Sequence, residues 1–175
     1  TRISTEELCR LVDALRNEPK AGIVTPIMYH PLTDRLLVKV LNPPYRVTNF
    51  HGACYAIRRE VIKLVGNHDP DCNFGGEELD LSIRVRNAGW DVLQVPDLKV
   101  AHNGRSRPAG DVVPLARRAP WTQNHARVVW RWFPYHRALP WSFFMLAAQL
   151  RAAWRRRAFF EWLILTKAWL HGVTE

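Results

Sequence analysis

The run Gly75-Gly76-Glu77-Glu78-Leu79-Asp80 places three carboxylates within four residues, directly after two glycines. Carboxylates crowded in this way repel one another, and one of them then holds a proton more readily than usual. The chemistry such a group would serve is general base catalysis, the removal of a proton from an attacking hydroxyl. An ordinary helix start explains the same residues, because acids in a first turn are favoured by the N-terminal dipole and by free backbone N–H groups. Asp80 and Arg84, four apart, can pair along that helix.

The elements that must position this run are legible on either side of it. Ser4 and Glu7 have capping-box spacing, and Leu8, Leu11, Val12 and Leu15 form the apolar stripe of an opening helix that Pro19 closes. Ala21 to Tyr29 reads as a buried strand, Leu36 to Val40 as a second and His51 to Ile57 as a third. Gly52 permits close backbone approach there. Arg59 to Val65 is a short helix stopped by Gly66. Glu77 to Ala88 is the next helix, Trp90 to Val95 a strand stopped by Pro96, and Leu98 to His102 a last strand. This is an α/β layer pattern with no internal repeat.

The chain changes character after His102. Up to that residue thirteen basic side chains balance thirteen acidic ones; from Asn103 onward twelve basic residues face three acidic ones, so the whole formal charge of +9 lies there. Seven of the eight tryptophans lie there too. Residues 103–120 read as a linker rich in Gly, Pro and Arg, and 121–175 as a helical tail. In that tail Trp121, His125, Val128 and Trp132 form one stripe. After Pro134 and Pro140, Phe143, Leu146, Leu150 and Trp154 form another, and Phe159, Trp162, Leu163, Thr166 and Leu170 continue beyond an arginine triplet. Such a tail suits an anionic membrane surface, single-stranded nucleic acid, or a plain helical subdomain with solvated arginines. Cys9, Cys54 and Cys72 are scattered, which disfavours a zinc site or a disulfide framework. No apolar run approaches the ~20 residues of a spanning helix. The chain opens on Thr1 with no signal peptide, and is expected to be a fragment.

The stretch from Gly52 to His102 resembles the acceptor-side half of inverting, family-2-like nucleotide-sugar glycosyltransferases of the GT-A fold, rhamnosyltransferase-like members included. The resemblance rests on Gly52-Ala53-Cys54-Tyr55-Ala56-Ile57-Arg58-Arg59-Glu60, then Gly66. It continues through Glu77-Glu78-Leu79-Asp80-Leu81-Ser82-Ile83-Arg84, then Gly89-Trp90, Val95-Pro96 and His102. It departs from the family in having Glu77-Glu78 where Glu-Asp is usual. It also lacks the Asp-x-Asp loop that holds metal and diphosphate. Gly75-Gly76-Glu77-Glu78 is also similar to the turn of diguanylate cyclases, but Leu79 stands where their Phe would be and a helix-period segment follows.

The resemblance implies a partial GT-A, Rossmann-like fold with a mixed sheet over residues 1–102, followed by the basic amphipathic helices. It implies Glu78 as the base and Glu77 as a group positioning the acceptor, with Gly52 and Asp69 at the substrate. It implies His102 as a ligand to a divalent cation, Mg²⁺ or Mn²⁺, in the intact enzyme. The residues themselves leave other roles open: a buried structural histidine for His102, a tight bend for Gly52, a solvated turn for Asp69. The expected activity is inverting transfer from a nucleotide-sugar donor to a sugar or lipid-linked acceptor, in cell-surface polysaccharide or glycolipid assembly. The fragment alone is expected to be inactive. The expected location is cytoplasmic, peripheral on the inner face of the cell membrane, with nucleic acid disfavoured as a partner. The competing class is a non-enzymatic module that binds membrane or nucleic acid through the basic tail.

Overall fold

The computed structural model describes residues 1–72, 74–103 and 113–174. They fall into two compact units, one of Thr1–His68 with Glu78–Asp111, the other of Asp69–Glu77 with Val112–Glu175. Residues 104–112, most of the expected linker, lie outside the described residues.

The first unit is α/β. Helix α1 (Thr5–Asn17) opens with the expected capping box: the Ser4 hydroxyl accepts from the Glu7 N–H and the Glu7 carboxylate accepts from the Ser4 N–H. Strand β1 (Ala21–Tyr29) follows and is buried along nearly its whole length. Strand β2 (Ala56–Ile57) leads into α2 (Arg59–Val65), then come α3 (Glu77–Asn87) and β3 (Asp91–Ala101). The sheet order is β2-β1-β3, with β1 antiparallel to β2 and parallel to β3, so the sheet is mixed as expected. One apolar cluster joins Leu11 of α1 to Val24, Met28, Leu98 and Val100. The other joins Ile23 and Val92 to Val61 of α2 and Leu81 and Val85 of α3.

Three strand expectations differ from what is seen. Leu36 to Val40 forms only an isolated bridge, Tyr29 to Leu36, backed by the Leu37 N–H donating to Met28 at 2.8 Å. Only Ala56 and Ile57 of the 51–57 stretch pair as strand. Conversely, Pro96 does not end its strand: β3 runs through it, with a register jump from Pro26↔Val95 to Ile27↔Lys99. Proline costs a ladder donor, and an edge strand can absorb that loss at a bulge.

In the second unit, α4 (Leu115–Trp132), α5 (Tyr135–Arg155) and α6 (Phe159–Thr174) pack together. Helix α4 starts six residues ahead of the expected Trp121, and α5 starts directly after Pro134 and runs on through Pro140. Arg157, with a φ of 54°, makes the turn into α6. Gly172 lets α6 approach α4 so closely that a Cβ there would fall on the Gln123 carbonyl.

Candidate functional site

Gly75 and Gly76 both take left-handed φ angles, 78° and 94°. Side chains other than glycine resist that region, so the pair makes the turn that delivers Glu77 and Glu78 to the start of α3. Within the second unit, α4 holds the same turn. Asn124 Nδ2 donates to the Phe74 carbonyl at 3.0 Å, and Arg127 Nη1 donates to the Asp71 carbonyl at 2.9 Å. The Trp121 ring packs where a Gly75 side chain would stand.

Glu78 and Asp80 have different hydrogen-bond partners. Glu78 Oε1 accepts from the Gly52 N–H at 3.1 Å. Asp80 is 1% exposed and bound to Arg84 Nε at 2.8 Å, so it is structural. Arg84 also donates to the carbonyls of Val65 and Asn67, tying the end of α2 to α3. Glu77 belongs to the second unit, where its charge acts on His125 of α4.

Gly52 and Glu78 are therefore brought together from positions 26 residues apart. The reason for glycine at 52 is steric: a Cβ would collide with the Glu78 carboxylate. Because the colliding atoms end a flexible side chain, Gly52→Ala should fold, with stability changed by under about 1 kcal/mol. The Glu78 carboxylate must move, however, to make room for the added methyl. A thermal melt of the variant checks this; a large loss of stability would mean that the carboxylate cannot yield.

Asp69, expected at the substrate, is ion-paired within the second unit. Its carboxylate receives Arg131 Nη1 at 2.6 Å, and that hydrogen bond, outweighing the effect of burial, holds it below the usual carboxylate range. The Asp71 N–H also donates to it at 3.0 Å.

His102 follows β3 directly, as His30 follows β1. The two strands are parallel, so both imidazoles sit at the carboxyl ends, where open α/β sheets place their ligands. His51 joins them, its ring 5.2 Å from that of His102. Burial lowers the pKa of both His51 and His102, and for His102 the neighbouring His51 charge adds to it. Neutral imidazoles can ligate a metal or exchange hydrogen bonds with hydroxyls. The Thr1 hydroxyl lies 2.8 Å from His102 Nδ1. Among the described residues no group of three His, Cys, Asp or Glu side chains is arranged to hold a metal ion.

Three neighbours of the site went unremarked in the sequence. His51 lines an open cleft of about 520 Å³, together with Thr25, Lys39, Arg46, Thr48 and Asn49. The cleft wall is pinned by Gln94, whose amide accepts from the Leu41 N–H at 2.9 Å and donates to the Lys39 carbonyl at 2.8 Å. Tyr55 and His68 share a 2.8 Å hydrogen bond, and burial followed by the Glu78 charge raises the Tyr55 pKa. The available signal was the adjacency of His51 to Gly52; nothing in spacing links Tyr55 to His68.

In sequence, part of this chain is similar to known glycosyltransferases. N-acetylgalactosaminyltransferase 7 of Homo sapiens is 32% identical over 108 residues, covering 59% of this chain and 16% of that protein. Its Drosophila melanogaster counterpart is 33% identical over 94 residues, 51% of this chain and 16% of that protein. The inactive polypeptide N-acetylgalactosaminyltransferase-like protein 5 of Macaca fascicularis is 37% identical over 60 residues, 34% of this chain and 14% of that protein. The chain thus spans about one sixth of the length of these relatives. No family model matches it.

Proposed function

We propose that this chain carries the acceptor side of a sugar-nucleotide-dependent glycosyltransferase, with Glu78 as the base. The observation that carries this reading is the Glu78 carboxylate, held at 3.1 Å by the backbone of Gly52, next in the chain to cleft-lining His51. One oxygen is fixed by the N–H, which aims the other lone pairs without consuming them. An acceptor hydroxyl would hydrogen-bond to Glu78, lose its proton to it, and attack the anomeric carbon as the nucleoside diphosphate leaves. Attack from the face opposite the leaving group inverts that centre. Glu77 is the first acidic residue of the helix start, and its proposed role is to steady the acceptor.

The cleft supports an acceptor rich in hydroxyls or bearing negative charge, because its named polar lining combines Thr25, Thr48 and Asn49 with Lys39 and Arg46. The relatives' names suggest N-acetylgalactosamine as the first donor sugar to assay, and polypeptides beside saccharides and lipid-linked sugars as acceptors. A divalent cation belongs to the proposal only in that His102 would supply one ligand, the others coming from residues this chain does not include. The cation would brace the leaving diphosphate when bound.

A second reading is favoured by the same hydrogen bond. A carboxylate already anchored to Gly52 can serve purely to orient the acceptor, with the anomeric configuration retained. Nuclear magnetic resonance of the first-formed product separates the two. An inverted anomeric centre, formed by the complete protein, is the expected outcome. A retained centre removes Glu78 as the base of a single displacement, and no turnover of any sugar nucleotide removes the glycosyltransferase reading.

A further inference from the structure

Helix α5 is packed the opposite way from a core helix. Its inward face carries Ala138, Ser142 and Ala153, all buried, with Gln149 bonded to the Thr122 hydroxyl at 3.1 Å. Its outward face carries the rings: Phe143 is 78% exposed, Phe144 68% and Trp154 69%, with Leu139 also exposed. Leu139, Phe143, Ala147 and Trp154 follow helical spacing, so these are not scattered side chains but one apolar strip. Trp154 meets Phe159 of α6 edge to face at 5.5 Å, and the apolar surface continues into Phe160, 74% exposed. Arg151 and Arg155 are exposed within and beside the strip.

The charge of this region decides between occupants. Residues 113–174 contain ten Lys and Arg side chains and a single acid, Glu161, a net of +9. Glu161 is itself bridged by Arg118 at 2.7 Å and Arg156 at 2.8 Å. A second copy would bring the same positive charge against the strip. Stacking platforms for nucleic acid combine aromatics with a charged groove, whereas these rings stand on the outward face of a helix. An anionic lipid surface takes both components, rings into the acyl boundary and guanidinium groups among the headgroups. No helix among the described residues is long and apolar enough to cross a membrane, so the mode is lying on the surface.

We propose that the outward face of α5, continued by the start of α6, lies on an anionic lipid bilayer. Phe143, Phe144 and Trp154 enter the acyl boundary, and Arg151 and Arg155 meet the headgroup phosphates. The inference rests on the second unit alone and does not depend on the reaction proposed above.

The test is sedimentation of the full chain with vesicles of phosphatidylcholine and phosphatidylglycerol in equal parts, against phosphatidylcholine alone. Binding is expected to the mixed vesicles and to weaken with salt. The triple substitution F143S/F144S/W154S should weaken it at least about tenfold, and R151S/R155S roughly 30-fold. All five positions are exposed, so circular dichroism should be unchanged in both variants. Failure of the full chain to bind the mixed vesicles overturns the proposal. So does undiminished binding by the aromatic variant. A single-stranded oligonucleotide bound through these same residues more tightly than vesicles would also overturn it, as would self-association through the strip in place of vesicle binding.

Discussion

Glu78→Gln in the complete protein is expected to lower kcat for sugar transfer by about 10² to 10⁴ with little change in KM. The amide keeps the shape of the side chain, and its oxygen can still accept from the Gly52 N–H, now 3.1 Å from the carboxylate. What it loses is the capacity to take a proton from the acceptor hydroxyl. The split between kcat and KM matters, because loss of an interaction made equally in ground and transition states would raise KM instead. Acceptor-dependent transfer should fall while hydrolysis of the sugar nucleotide by water falls less. Activity within a few-fold of wild type would exclude Glu78 as the base.

The second large effect falls on stability. Asp80→Ala is expected to cost the first unit about 3 kcal/mol, because the change strands a partly buried guanidinium. Arg84 is 17% exposed, and after the substitution the carbonyls of Val65, Gly66 and Asn67 would still face its charge without the Asp80 carboxylate beside it in α3. The exposed pair of Arg16 and Asp13, at 3.3 Å, provides the control. Asp13→Ala should change stability by less than about 1 kcal/mol. Denaturant titration of both variants checks the contrast. A loss below about 1 kcal/mol for Asp80→Ala would mean that Arg84 finds sufficient partners elsewhere.

These two predictions assign opposite roles to residues two apart, a division that the sequence suggested by spacing for Asp80 and by family resemblance for Glu78. Spacing marked Asp80 for Arg84, since four residues make one helical turn. It could not show that Glu78 reaches Gly52, because that contact depends on β2 pairing with β1 and on α3 packing over Ile23 and Val92. The same gap explains Asp69. Its loop position suggested a substrate contact, while its partner, Arg131, lies 62 residues further on in α4.

Local patterning determined a good deal unaided. The capping box of α1, the buried β1 strand, the ends of α2 and α3 at Gly66 and Gly89, and the charge break after His102 are all short-range properties, set by hydrogen bonds and periodicity within a few residues. Helix period also marked Phe143 and Trp154 as sharing a face of α5. It could not say which way that face turns. That was decided by tertiary packing: α5 meets its neighbours through Ala138, Ser142 and Ala153, small side chains that allow close approach, and so leaves its rings outward. The acidic run itself divides along the same line. Its place at the start of a helix and the pairing of Asp80 with Arg84 are matters of local sequence, whereas the contact of Glu78 with Gly52 comes from elements distant in the chain. Periodicity reports which residues share a face; only the packed structure supplies what that face meets.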